Sequence, residues 1–141
     1  MNDDQLHDVA SGLHSSAIRL LRMVRREDKQ TGISPPRLSA LSVLVFAGPM
    51  SLAELAAAEE VKAPTMSRIV EGLVADGLAT REPDPANRRK VRIAATEEGR
   101  GRLEAGRDRR VRALTARLRR LADSEQRALA RGVEVLQRAV R

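Results

Sequence analysis

The sequence predicts a mainly α-helical protein with one small β-hairpin, and three observations carry that expectation. Apolar residues recur at helical spacing along most of the 141 residues. Between Ser51 and Gly77, a short capped helix, a turn of about four residues and a further helix follow one another. Just after them, "LATREP" and "KVRIAAT" read as short extended segments flanking the turn-rich "DPANRR".

The elements follow in order. Leu6, Val9, Leu13, Ala17, Leu20, Leu21 and Val24 mark one amphipathic helix over about residues 4–28. "TGISPP" ends it: Gly32 breaks the pattern, and Pro35–Pro36 suit a first helical turn with Ser34 as N-cap. The next helix runs through Leu38, Leu41, Val43, Leu44 and Val45 and stops at "AGPM". Ser51, with Glu54 three residues on, forms a capping box for a short helix that buries Leu52, Leu55 and Ala56. After "EEVKAP", with Pro64 expected at the first helical position, Met66, Ile69, Val70, Leu73 and Val74 give the inner face of a helix over 63–76. The hairpin comes next, with Val91, Ile93 and Ala95 on one face of its second strand. Thr96, Glu97 and Glu98 start a long helix carrying Leu103, Val111, Leu114, Leu118 and Leu121. Asp123 or Ser124 caps a last helix with Leu129, Val133, Leu136 and Val140 as its stripe. This order is a winged helix-turn-helix core over 34–96. Additional helices flank it at 4–30 and 97–141, in a single domain spanning 1–141.

Composition bounds the function. A formal net charge of +7 suits an acidic partner, nucleic acid above all. Arginine supplies nearly all of that charge, which codon bias alone can produce, so the charge does not decide the matter. With no cysteine, disulfides, thiol redox sensing and Cys-ligated zinc are excluded. No apolar run approaches the roughly 20 residues of a membrane span, and the acidic "MNDDQLHDVA" lacks the basic-then-apolar order of a signal peptide. A cytoplasmic protein without membrane contact is expected. A single Phe46 as the only aromatic argues against single-strand binders that stack bases on rings.

The 63–76 helix carries the chemistry. Opposite its buried side lie Thr65, Arg68 and Glu71 or Gly72, with Ser67 on the flank. Short hydroxyls reach bases or phosphates, and Arg grips guanine O6 and N7 with two bonds. The helix N-terminus, opening at Lys62 and Pro64, itself favours phosphate. Such a face is ordinarily just solvated; a capped helix before it and a basic hairpin after it tip the reading to duplex DNA. Arg88, Arg89 and Lys90 at the hairpin tip repel one another unless an anion screens them. Arg88 or Arg89 there can enter an adjacent minor groove. Arg37, Ser51 and Lys62 are candidate phosphate contacts, which fix register without reading sequence.

The stretch "SLAELAAAEEVKAPTMSRIVEGLVADGLATREPDPANRRKVRIAATEEG" resembles the MarR family of bacterial transcription regulators. It is similar to that family's capped helix, then "x-T-x-S-R-x-x-x-x-L-x-x-x-G-L-x-x-R", "D-P-x-D-R-R" and a strand ending in "T-x-x-G". Thr65, Ser67, Arg68, Leu73, Gly77, Leu78, Arg81, Asp84, Pro85, Arg88, Arg89, Thr96 and Gly99 match. Asn87 stands where the pattern has Asp. That carboxylate is implied to orient the wing or recognition-helix arginines, whereas an Asn can only hydrogen-bond. The resemblance implies an obligate homodimer with first and last helices interleaving, a repressor in most cases, and a pseudo-palindromic operator. The residues themselves say less: terminal amphipathic helices need a partner surface, or else close onto the monomer's own core.

The resemblance also implies a small-molecule pocket between dimer helices and DNA-binding core, where aromatic effectors often stack. Phe46 is the one ring available, so such a pocket is expected to be aliphatic with Arg or His at its rim. His14 is the other candidate, although a half-buried interface histidine is the plainer reading. His7 and His14 share a helix face about 10 Å apart, too far to hold one metal. No metal or cofactor is expected, and no nucleophile–base pair, phosphate loop or carboxylate dyad suggests an enzyme. Two other readings stay open: a constitutive or architectural DNA-binding protein without effector, and a winged-helix module that docks a partner protein.

Overall fold

Leu41, Leu44, Leu55, Met66, Val70, Leu73 and Leu78 are enclosed almost completely, and they come from three consecutive helices and the start of a hairpin. Burying each is worth about 1.5–3 kcal/mol, which makes this cluster the centre that orients everything else. The computed structural model describes residues 1–140. Its elements are α1 (Asp3–Asp28), a 3-10 turn (Lys29–Thr31), α2 (Pro35–Ala47), α3 (Leu52–Ala58), α4 (Ala63–Ala75), β1 (Ala79–Pro83), β2 (Val91–Ala95), α5 (Glu97–Leu118) and α6 (Asp123–Ala139). The fold is thus mainly α with a two-stranded antiparallel wing, as the sequence predicts.

Local chemistry sets the boundaries. Ser51 Oγ accepts the Glu54 N–H at 3.1 Å, while the Glu54 carboxylate accepts the Ser51 N–H at 2.8 Å, closing the expected capping box of α3. Gly77, at φ 73°, ends α4 in a left-handed turn that an L side chain resists. There the Leu78 N–H reaches the Leu73 carbonyl and the Gly77 N–H reaches that of Val74. The hairpin pairs Ala79 with Ala95 through Pro83 with Val91. Met50 adds a one-residue bridge to Ile93, a pairing too short to leave a periodic signal in the sequence.

Two local expectations are corrected and one holds. Pro64 is the second residue of α4, because Ala63 already has helical geometry after Lys62. Ser34 stands at the N-cap of α2 with the two prolines in the first turn, as expected, although its side chain makes no capping bond. The last helix is preceded by Ala122, not capped by Asp123 or Ser124; the Glu125 carboxylate reaches back to the Ala122 N–H at 2.8 Å.

The terminal helices behave differently from the core. No residue of α1 or α6 is buried. Leu6, Val9, Leu13, Leu20 and Leu21 on α1 are 46–57% exposed, and Leu129 and Val133 on α6 are 41% and 46% exposed. Their stripes do not close onto the core of the chain. The C-terminal end of α1 is anchored to α5 by an ion pair between Asp28 and Arg110, both about three-quarters buried. Thr31 sits buried beside Gly106 of α5, donating to the Asp28 carbonyl at 2.7 Å and accepting the Ile33 N–H at 3.0 Å.

Candidate nucleic-acid interface

The amphipathic pattern of α4 sorts its residues into two sides. Met66, Val70 and Leu73 are buried, and Thr65, Arg68 and Glu71 are exposed on the outer side. Ser67 is half-buried on the flank, with its hydroxyl donating to the Glu71 carboxylate at 3.4 Å. Lys62 precedes the helix, exposed, and makes no side-chain cap. Of the first-turn groups of α4, the Ala63 and Thr65 N–H remain open to an outside acceptor, Pro64 having none and the Met66 N–H reaching the Lys62 carbonyl, an arrangement that favours a phosphate. Ser51 stands at the start of α3, its hydroxyl already accepting a backbone N–H.

The wing tip is ordered by its own short side chains. Asp84 Oδ1 accepts the Ala86 N–H at 2.9 Å, and Asn87 Oδ1 accepts the Arg89 N–H at 3.2 Å. Backbone bonds from Asp84 to Lys90 and from Lys90 to Asn87, both 2.9 Å, close the loop. Asn87 thus folds the tip through the backbone, and among the described residues its amide makes no bond to an arginine side chain. Arg88, Arg89 and Lys90 are exposed, and none forms an ion pair among the described residues. Arg92, one strand pair below the tip, is instead bound to Glu82 across the strands at 3.3 Å.

Arg37 does not join this group. Its guanidinium lies across Gly72 and donates to Asp76 at 3.2 Å, at the C-terminal end of α4. The far end of the helix is thereby tied to α2. Sequence spacing could not reveal a contact between residues 39 apart.

A groove of about 730 Å³ opens where the C-terminal end of α1 meets α2 and α5. Ile33, Leu38, Val43 and Leu103 give it apolar walls, and Arg25 and Arg110 stand at its edge. Neither His14 nor Phe46 lines it: His14 is exposed on α1, and Phe46 is 76% exposed at the end of α2. Residue type alone suggests them, and the helix faces that carry them lie outside this groove. No group of three or more metal-ligating side chains occurs among the described residues, and none of their helices is long and apolar enough to cross a membrane.

Sequence reasoning also missed Glu60. It holds φ 54° in the turn between α3 and α4, a left-handed position where glycine would be expected. Nothing in "AAAEEVK" announces it.

Comparison with known proteins places this geometry among relatives. The MarR family model matches residues 31–90. An uncharacterised helix-turn-helix-type transcriptional regulator of Mycobacterium leprae is 34% identical over 123 residues, covering 87% of this chain and 85% of that one. The transcriptional repressor NicR of Pseudomonas putida is 47% identical over 58 residues, 41% of this chain and 37% of that protein. The solved structure of a MarR family protein from Bacillus stearothermophilus superposes with a TM-score of 0.80 at 25% identity, over 99% of this chain and 98% of its own.

Proposed function

The chain belongs to the MarR family and is a DNA-binding transcription regulator; from that premise we propose a homodimeric repressor that a small molecule releases from a pseudo-palindromic operator. The observation that carries the reading is the pairing of an exposed Thr65–Arg68 face on α4 with an unneutralised cationic wing tip. Arg68 grips a guanine edge, while Thr65 and Ser67 reach bases or phosphates. Lys62, Ser51 and the N-terminus of α4, which Pro64 helps to shape, hold the backbone. Arg88 and Arg89 enter the flanking minor groove beside Lys90, on a tip that Asn87 keeps folded. Arg37 lies over Gly72, further along the same side of α4 as Thr65 and Arg68, held there by Asp76.

In this reading residues 34–96 contact DNA and residues 4–30 and 97–141 form the dimer. The exposed stripes of α1 and α6 support the second part, since apolar area of that extent is ordinarily covered. The repressor role follows the similarity to NicR over the matched 58 residues. The groove between α1, α2 and α5 takes over from His14 and Phe46 as the effector site, because it borders both the dimer helices and the core. An effector that binds one spacing of the reading heads better shifts the population toward it. Catalysis has no part in this reading, which places the protein in the cytoplasm with the chromosome.

The test is selection of bound fragments from the source genome, followed by gel shift. A recurring imperfect palindrome, bound in a salt-sensitive way and vacated on adding a small molecule, is expected. Binding that ignores sequence would leave an architectural protein, and no binding at all would leave a protein-docking module.

A further inference from the structure

Gly72 stands inside α4, where a glycine weakens the helix relative to alanine. Its φ is not positive, unlike those of Gly32, Gly48 and Gly77, so no turn calls for it. Arg37 does. The three nearest atoms that an added Cβ would meet, at 2.2–2.3 Å, all belong to the Arg37 guanidinium. The missing side chain leaves a notch, and Arg37 lies in it while donating to the Asp76 carboxylate at 3.2 Å.

Thr65, Arg68, Gly72 and Asp76 follow at intervals of three and four, so they form one line along α4 that ends at its C-cap. Among the described residues, the Arg37–Asp76 bond is the only side-chain hydrogen bond that joins this helix or its C-cap to another helix. Its other end is firm. Arg37 follows Pro35 and Pro36, whose rings fix the first turn of α2, and Ala40, Leu41 and Leu44 of that helix are at most 1% exposed. Elsewhere α4 is held by the buried stripe of Met66, Val70 and Leu73. Apolar burial has no direction and tolerates a small roll about the helix axis, whereas a directed bond on another side opposes it.

We propose that Arg37 is the positioning residue of the reading helix: seated in the Gly72 notch and held by Asp76, it fixes the roll of α4 and so the angle at which Thr65 and Arg68 meet the bases. The inference rests on the reading of α4 as the DNA-facing helix and adds what aligns it. A helix is about 10–12 Å across with its side chains, so a roll of about 10° moves their tips by about 1 Å. That is enough to spoil a two-bond grip on guanine. Arg37 itself stays on Asp76 and off the DNA.

The test compares full-length Arg37→Ala, Asp76→Asn, Gly72→Ala and the Arg37→Ala/Asp76→Asn double variant with the parent. Fluorescence anisotropy measures binding to the strongest duplex recovered by genomic selection and to a random duplex. Each single variant should lose preference for the selected duplex by up to roughly fivefold, the factor that an exposed pair contributes. The double variant should be no worse than either single one, because both changes break the same bond. Gly72→Ala separates alignment from stability. Its methyl displaces the flexible end of Arg37, and alanine favours the helix, so preference should fall while the thermal midpoint holds or rises. Loss confined to Arg37→Ala would make Arg37 a direct DNA contact and overturn the proposal. Unchanged preference in every variant would leave an ordinary surface ion pair and overturn it equally. A parent that does not distinguish the selected duplex from the random one overturns the reading of α4 itself.

Discussion

Thr96 donates its hydroxyl to the Gly77 carbonyl at 2.6 Å and accepts the Gly99 N–H at 3.0 Å with the same oxygen. One side chain therefore caps α5 and ties its start to the turn that closes α4. The fit is tight: a Cβ on Gly99 would stand 2.2 Å from the Leu78 carbonyl oxygen, a backbone atom that cannot swing away. The "T-x-x-G" at the end of the hairpin is thus a joint between the turn that closes α4 and the start of α5.

Gly99→Ala should consequently destabilise the protein by about 1–3 kcal/mol, the usual cost of overpacking a close contact. Urea unfolding measures it. An unchanged midpoint would mean that α5 shifts freely at this joint.

Glu60→Gly should act in the opposite direction. Relief of the left-handed backbone at φ 54° is worth about 1 kcal/mol, and the change also removes a carboxylate just before α4, the helix proposed to face DNA. A higher unfolding midpoint with tighter non-specific DNA binding is expected. A lower midpoint would show that glycine's added freedom in the unfolded chain outweighs the strain.

The difference between Thr96 and Glu60 explains what the sequence disclosed. Caps and periodic stripes are local, and the capping box at Ser51–Glu54, the cap at Thr96 and the buried side of α4 are legible because a few neighbouring residues define them. The start of α6 misled because Glu125, two residues into the helix, satisfies the backbone before Asp123. Arg37 was legible as a cation but not as the partner of Asp76, since tertiary packing brings them together. His14 and Phe46 were chosen by residue type for a pocket whose walls, Ile33, Leu38 and Leu103, come from three separate segments. The outer face of α4 was visible from spacing alone; what it reads in DNA was not.

Arg68→Ala should weaken specific binding by roughly 1–3 kcal/mol and relax selectivity at one operator position, as loss of a base-edge contact does. Competition titrations with operator and random duplex check it. An equal loss on both would make Arg68 a phosphate contact only.

Arg37 and Lys62 should part company in the same assay. Lys62→Ala removes two cations per dimer from the open end of α4 and should flatten the slope of log K against log salt by up to about 2 units. Arg37→Ala, which frees Asp76 at the other end of the helix, should leave the slope nearly as it was. A comparable flattening in both would return Arg37 to the backbone contacts.

The most direct test of the account concerns the wing. A two-fold dimer presents its recognition helices to successive major grooves, about 34–36 Å or roughly 10 bp apart, with the wings over the flanking minor grooves. Arg88→Ala/Arg89→Ala removes four cations per bound dimer. Each neutralised phosphate contributes about −0.9 to the salt slope, so the slope should flatten by up to about 3–4 units. The footprint should recede at both outer edges while the central half-sites stay protected. An unchanged slope with an unchanged footprint would mean that the tip of "DPANRRKVRI" faces solvent, contradicting its role as a DNA-reading wing.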